Sequence, residues 1–190
     1  MRLAKKLFAL AALANLASSV MGQEVGIGVS FLDNSGTVFL PISVTPSFRV
    51  EPYVGFFRSS NSGDTSTEST SSSSSNATLG AGLFAMGRAA DNVQLYGGSR
   101  VGYVRRKQTY SYSSTVSPSS DRVQKTSGFL VAPTIGFEYF LQKNISIGAE
   151  VAIAYLRTSG HDDYYSITES DTKESTTTTL TSMTIRYYWN

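Results

Sequence analysis

Apolar and polar positions alternate with a period of two along most of this chain, beginning just after residue 23. In residues 145–155, Ile145, Ile147, Ala149, Val151, Ile153 and Tyr155 form one face, with Ser146, Gly148, Glu150, Ala152 and Ala154 on the other. In residues 128–140, Phe129, Val131, Pro133, Ile135, Phe137 and Tyr139 oppose Gly128, Leu130, Ala132, Thr134, Gly136 and Glu138. The last segment sets Met183, Ile185, Tyr187 and Trp189 against Ser182, Thr184, Arg186 and Tyr188. Strict alternation marks strands with two unlike faces. Applied throughout, it predicts eight strands near 24–32, 38–44, 48–58, 78–89, 93–110, 126–141, 145–157 and 176–189.

The connections between these segments are of two kinds, and they take turns. Short turns fall at Thr45-Pro46-Ser47, Ala90-Asp91-Asn92 and Gln142-Lys143-Asn144. The others lie at 33–37, 59–77, 111–125 and 158–175, and three of them are long and rich in Ser and Thr. Segment 59–77 ends near five consecutive serines, Ser71 to Ser75, and by composition is expected to be mobile. Short and long connections in alternation predict an all-β fold: an eight-stranded antiparallel up-and-down barrel with one elaborated end and both termini at the other. Pro41, Pro52 and Pro133 fall inside strands of a ring that has no edges, so bulges are expected there.

Charge decides which face looks inward. The faces opposite the apolar stripes carry Arg49, Glu51, Arg88, Arg100, Glu138, Glu150 and Arg186. A basic residue turned to lipid at mid-depth costs about 2–4 kcal/mol, whereas inside a barrel the two signs can neutralise each other. The seven are therefore read as a lumen charge network and the strands as transmembrane. The outward aromatics then sort by depth into two girdles. Phe31, Phe56, Tyr103, Phe129 and Tyr155 lie toward the long connections, and Phe48, Tyr139, Tyr187 and Trp189 toward the short turns. Large aromatics and glycines share the inward faces, which favours a plugged lumen over an open one.

The first 22 residues are of another kind. Arg2, Lys5 and Lys6 precede an apolar run from Leu7 to about Ala17, too short to span a bilayer, and small residues precede Gln23. Residues 1–22 read as a cleaved signal peptide and 23–190 as one outer-membrane barrel domain. Of sixteen Lys and Arg, three lie in the leader, which leaves thirteen against fourteen acids. That balance gives no reason to expect nucleic acid as a partner. The chain has no cysteine, which excludes thiol catalysis and Cys-based metal sites.

The final strand, Met183-Thr-Ile-Arg-Tyr-Tyr-Trp-Asn190, alternates aromatics up to Trp189. With the barrel pattern over residues 24–190, it makes the chain resemble the small eight-stranded outer-membrane β-barrel proteins, the porin-like or outer membrane protein β-barrel domain family. The resemblance implies a bacterial outer-membrane location, contact with outer-membrane lipid, and recognition of the C-terminal strand by the assembly machinery. That signal usually ends on the aromatic itself, and here Asn190 follows it. Activities do not transfer with this scaffold, because adhesins, structural barrels and enzymes share it.

Candidate chemistry is sparse. His161, the single histidine, stands beside Asp162 and Asp163 in a long polar connection, where a solvated side chain is the expected state. No phosphate loop or catalytic signature is present, and no catalytic residue, metal site or cofactor is expected. Tyr110, Tyr112, Tyr164 and Tyr165, set among Ser, Thr and Asp, are candidates for binding an extracellular ligand, since Tyr and Ser make adaptable contact surfaces. The leading expectation is a non-enzymatic surface barrel with a structural or adhesive role. Its rivals are a narrow channel for ions or small solutes, a lipid-modifying barrel enzyme, and a soluble periplasmic barrel. N-terminal sequencing of the protein purified from the cell envelope should begin at or near Gln23, and recovery of Met1 would contradict the leader assignment.

Overall fold

In the computed structural model the described residues are 24–32, 35–64, 68–114, 120–163 and 171–189. The leader and its cleavage point lie outside them, as do Tyr164 and Tyr165. Nine strand segments occur among these residues: β1 (Val25–Leu32), β2 (Ser35–Phe39), β3 (Ile42–Thr45), β4 (Phe48–Asp64), β5 (Glu68–Ala90), β6 (Val93–Ser114), β7 (Ser120–Gln142), β8 (Ile145–Asp163) and β9 (Asp171–Trp189). Each pairs antiparallel with its neighbour, and β1 pairs with β9 from Val25↔Trp189 to Phe31↔Met183, which closes the ring. Segments β2 and β3 occupy one place in it. Both keep a single register against β1 and another against β4, so they are one strand interrupted at Leu40–Pro41. The ring therefore has eight positions.

The prolines are accommodated without the expected bulges. Gly26 N–H donates to Pro41 O and Leu40 N–H donates to Pro52 O, each at 2.9 Å. In an antiparallel ladder such pairs exchange two bonds, and the return bond is the one each proline cannot make. Register is unchanged past Pro41 and Pro52, and β7 and β8 resume one register on either side of Pro133. One missing donor per site is a smaller disturbance than an extra residue. The irregularities lie instead at Ser43/Thr45, Arg88/Ala90 and Phe140/Gln142, each beside a short turn at the rim. There a bulge lets the chain reverse without disturbing the wall.

The two faces of the wall are inverted relative to a soluble protein. Phe129 is 70% exposed, Ile135 68% and Met183 62%, while Arg49, Glu51, Glu138 and Arg186 are at most 1% exposed. Every outward aromatic assigned to a girdle except Trp189 is among the exposed large side chains, and Trp189 is half-buried against Tyr187, with ring centroids 6.3 Å apart. Inside, Phe39, Tyr53, Phe84, Tyr96 and Tyr188 are buried. They fit because glycine faces them. A Cβ on Gly28 would enter the Phe39 ring, one on Gly136 the Tyr96 ring, and one on Gly80 or Gly102 the Tyr53 hydroxyl. Ala132, Ala152 and Ala154 pack together with Leu130 on the same inward face.

The long connections differ most from the reading by composition. The segments at 59–77, 111–125 and 158–175 are largely strand, and pairing continues from Phe57↔Asn76 to Asp64↔Ser69 through the whole serine run. An isolated Ser-rich segment cannot order itself by burial. Here each residue extends a ladder already nucleated in the membrane wall, and its backbone bonds do not depend on the side chain. His161 accordingly belongs to β8, its backbone opposite Lys125 and Asp171. Strands β5 and β7 have 23 residues each. At roughly 3.3 Å per residue and a tilt of about 40°, each climbs about 58 Å, more than twice the ~25 Å apolar band. The first hairpin is short. Pairing of β2 with β4 stops at Ser35↔Phe57, and that of β1 with β9 at Phe31↔Met183. Among the described residues only β4 to β9 continue beyond those pairs, as a crown in which β4 and β9 are not paired with each other.

Adjacent glycines on β6 test this alternation. A Cβ on Gly98 would collide with the Leu83 carbonyl of the neighbouring backbone, whereas one on Gly97 meets only Ile135 Cγ2 at 3.8 Å. Gly98→Ala should lower stability by about 1–3 kcal/mol through overpacking. Gly97→Ala should leave it within roughly 0.5 kcal/mol. Urea unfolding in detergent checks both, and equal losses would contradict the inward placement of Gly98.

Candidate functional site in the barrel lumen

Alternation places charged side chains from five different strands at one depth. Arg49 and Glu51 come from β4, Arg100 from β6, Glu138 from β7, Glu150 from β8 and Arg186 from β9. Cross-strand register sets their level: Glu51 is opposite Gly82, which is opposite Arg100, and Gly28 is opposite Arg186. Glu138 and Glu150 likewise face Gly148 and Gly136, so five of the six have a glycine beside them that leaves room, while Arg49 lies between Ser43 and Phe84.

The six form a neutral set of three cations and three anions. Arg186 lies at the centre, with Glu150 Oε1 at 2.9 Å, Glu138 Oε1 at 3.0 Å and Glu51 Oε1 at 3.4 Å. Arg100 binds both oxygens of Glu150 and reaches Glu51 Oε2 at 3.0 Å. Arg49 pairs with Glu138 and with Glu51, the latter with Nε 3.0 Å from Oε1. At the Glu51 contact the Arg49 Nε is close enough for ion pairing but not aligned for a hydrogen bond. Burial in a narrow lumen is costly for any charge whose partner is missing, so the equality of signs is the condition for the arrangement.

Hydroxyl groups complete the network. Arg49 donates to the Tyr188 hydroxyl at 3.0 Å, which donates to Glu138 Oε2 at 2.7 Å. Arg186 donates to the Tyr96 hydroxyl at 3.2 Å, which donates to Glu150 Oε1 at 2.7 Å. Each tyrosine thus links an arginine to a glutamate. Ser146 donates to Glu138 at 3.1 Å, and Arg186 donates to Thr184 Oγ1 at 2.8 Å. Arg49 Nη2 and Arg186 Nε have no hydrogen-bond acceptor among the described residues. Their guanidinium groups lie over rings instead, Arg49 4.8 Å from the Tyr96 centroid and Arg186 4.8 Å from that of Phe39.

Arg88 is not part of this set and corrects the reading from sequence. It sits at the short-turn rim, 69% exposed, donating to Ala90 O at 3.3 Å and Asp91 O at 2.9 Å, with the Asp91 carboxylate 3.5 Å away. The register irregularity between Arg88 and Ala90 takes it off the regular wall at the level where β5 leaves the ring. Tyr110 and Tyr112 belong to β6 and not to a loop, and they stand high in the crown, opposite Ser72 and Thr70. What alternation did not single out is the chemistry of Tyr96, Tyr188, Ser146 and Thr184. The available signal was that two of the inward aromatics beside the charges carry a hydroxyl.

A model of the outer membrane protein β-barrel domain matches residues 7–181. No curated protein matches the sequence. A major outer membrane protein from Thermus thermophilus shares 12% identity at a TM-score of 0.59, over 89% of this chain and all of that one. CarO2 of Acinetobacter baumannii shares 14% identity at 0.47, over 87% of this chain and 98% of its own. Ail of Yersinia pestis, solved with the heparin analogue sucrose octasulfate, shares 16% at 0.46, over 87% and 95%. The Thermus likeness shows the barrel fold alone. With a closed antiparallel ring, an inverted wall and a family match across most of its length, the chain belongs to the outer membrane protein β-barrel domain family and resides in the bacterial outer membrane.

Proposed function

We propose that the chain is a non-conducting, non-enzymatic barrel that anchors a tall strand crown outside the cell for a structural or adhesive role. One observation carries the reading: the ring interior holds six charges that neutralise one another, five of them buried and Arg100 partly so, packed between Phe39, Phe84, Tyr96 and Tyr188. Ion flow would require water where these groups now contact each other. Catalysis would require an acid or base open to substrate, and Glu138 and Glu150 are each held by several donors.

The crown is where contact with an external partner is proposed. Tyr110, Tyr112, Arg122, Gln124, Asn61 and Ser72 line a cleft of about 510 Å³ between β4, β5, β6 and β7. Tyrosine, amide and hydroxyl groups on a paired backbone offer flat apolar surface and hydrogen bonds without much ordering cost on binding. The orientation follows from export: the termini meet at the short-turn rim, where Val25 pairs with Trp189, and the crown is at the opposite end. The alternating aromatic end of β9, Tyr187 and Trp189, is the segment proposed to be read by the assembly machinery.

Removing one member of the network should strand its partners in the lumen. Arg49→Met and Glu138→Gln should each lower the unfolding free energy by about 3–5 kcal/mol. The purified barrel should give no current steps in planar bilayers, with or without either substitution. Steady conductance from the unaltered protein, or variants that keep their stability and pass more current, would replace this reading with the channel.

A further inference from the structure

The outward wall changes character just past the girdle on the crown side. On β4 the outward position after Phe56 is Arg58, on β6 those after Tyr103 are Arg105 and Lys107, and on β8 that after Tyr155 is Arg157. On β9, threonine and serine follow Met183 on this face until Lys173. All five basic side chains are exposed, and none makes an ion pair among the described residues. The six lumen charges balance to neutrality. Here the first described charge on the outward face of each of these four strands is positive, with Glu174 on the opposite face of β9 beside Lys173.

Register gathers the collar into two grooves. Arg58 is opposite Ser75, which is opposite Lys107, and with Phe56 and Arg105 these line a groove of about 570 Å³. Arg157 is opposite Phe129, and Lys173 is opposite Ser159. With Tyr103 they line a second groove of about 300 Å³. Its floor is the edge-to-face pair Tyr103–Phe129, with centroids 5.6 Å apart. Each groove thus joins an aromatic surface, at the depth where bilayer and headgroups meet, to two or three cations one or two outward positions farther along the strands.

We propose that this collar binds the phosphate groups of anionic lipid headgroups in the surrounding leaflet, one headgroup to each groove. Like charges repel unless anions lie among them, and the space facing these side chains is headgroup, not open solvent. Guanidinium forks match phosphate oxygens two at a time, and the rings below offer apolar surface to the lipid's sugar or acyl carbons. The alternative is that long basic side chains merely extend to water from the edge of the apolar band, with no preference for the lipid beside them.

The full mature barrel would be placed in phosphatidylcholine nanodiscs doped with bisphosphorylated lipid A or with the same lipid stripped of phosphate. Native mass spectrometry would then count retained lipid. At about 1 kcal/mol for each basic residue near the surface, the phosphorylated lipid should be retained about tenfold or more over the stripped one. Arg157→Gln with Lys173→Gln should remove about that factor at the second groove, so that one phosphorylated lipid fewer is retained per barrel, Arg157→Lys with Lys173→Arg should restore most of it, and Lys143→Gln at the other rim should change nothing. Equal retention of the two lipids by the unaltered protein would overturn the proposal, and needs no variant to fold. So would retention indifferent to the double substitution. Displacement by millimolar inorganic phosphate alone would also overturn it, since the site would then belong to a soluble anion.

Discussion

Six ionised side chains in the interior of an eight-stranded ring impose the condition on which this structure depends: they must arrive as a neutral set and at one level. In the proposed plug, side chains fill the eight-stranded ring and no bulk water screens a charge left over. Arg49, Arg100 and Arg186 meet Glu51, Glu138 and Glu150 within a few residues' rise along the wall. A slip of one residue in any strand would carry its charge to lipid and its apolar neighbours inward. The network therefore fixes register as much as it fills space.

The remaining features of the wall follow from that level. Large inward groups need facing glycines, and Gly28, Gly80, Gly102 and Gly136 lie where the Phe39, Tyr53 and Tyr96 side chains pass. Tyr96 and Tyr188, not phenylalanine, stand beside the ions because a hydroxyl can accept from arginine and donate to glutamate at once. Outside, the apolar band needs no partner except lipid. Its end is marked by aromatic rings and then, on the crown side, by a run of positive charge. Above the band the same strands continue without lipid or lumen to specify them, which is why their sequence loses its apolar alternation while their pairing continues.

Much of this was legible in the sequence, because period two encodes both faces at once. The closed ring, the inward direction of the charges and the outward aromatics all follow from alternation and the cost of charge in lipid. Arg88 was misplaced because alternation says which side of a strand a residue is on, not how high it stands, and β5 passes the rim there. The prolines misled because the rule against them counts a lost donor, and in this ring the loss is confined to single bonds at Pro41 and Pro52. The crown was hidden for a different reason. Composition measures whether a segment can fold by burial, and the Ser71–Ser75 run is ordered by cross-strand backbone pairing with a hairpin anchored below it. The partners of each lumen charge were also out of reach, since they depend on which strands face one another across the ring.

Whether the lumen charges act as one coupled set is most directly measured by a double-substitution cycle on Arg100 and Glu150. These two bind each other through both carboxylate oxygens, and their joint removal leaves Arg49 and Arg186 against Glu51 and Glu138, still neutral. The unfolding free energies of Arg100→Met, Glu150→Gln and the double variant would be compared with that of the unaltered barrel in one detergent. A coupled neutral network predicts that the double variant loses clearly less than the two single losses together, by about 1–3 kcal/mol. Losses that simply add would mean that water already screens these charges, and would contradict a lumen closed by its own ion pairs.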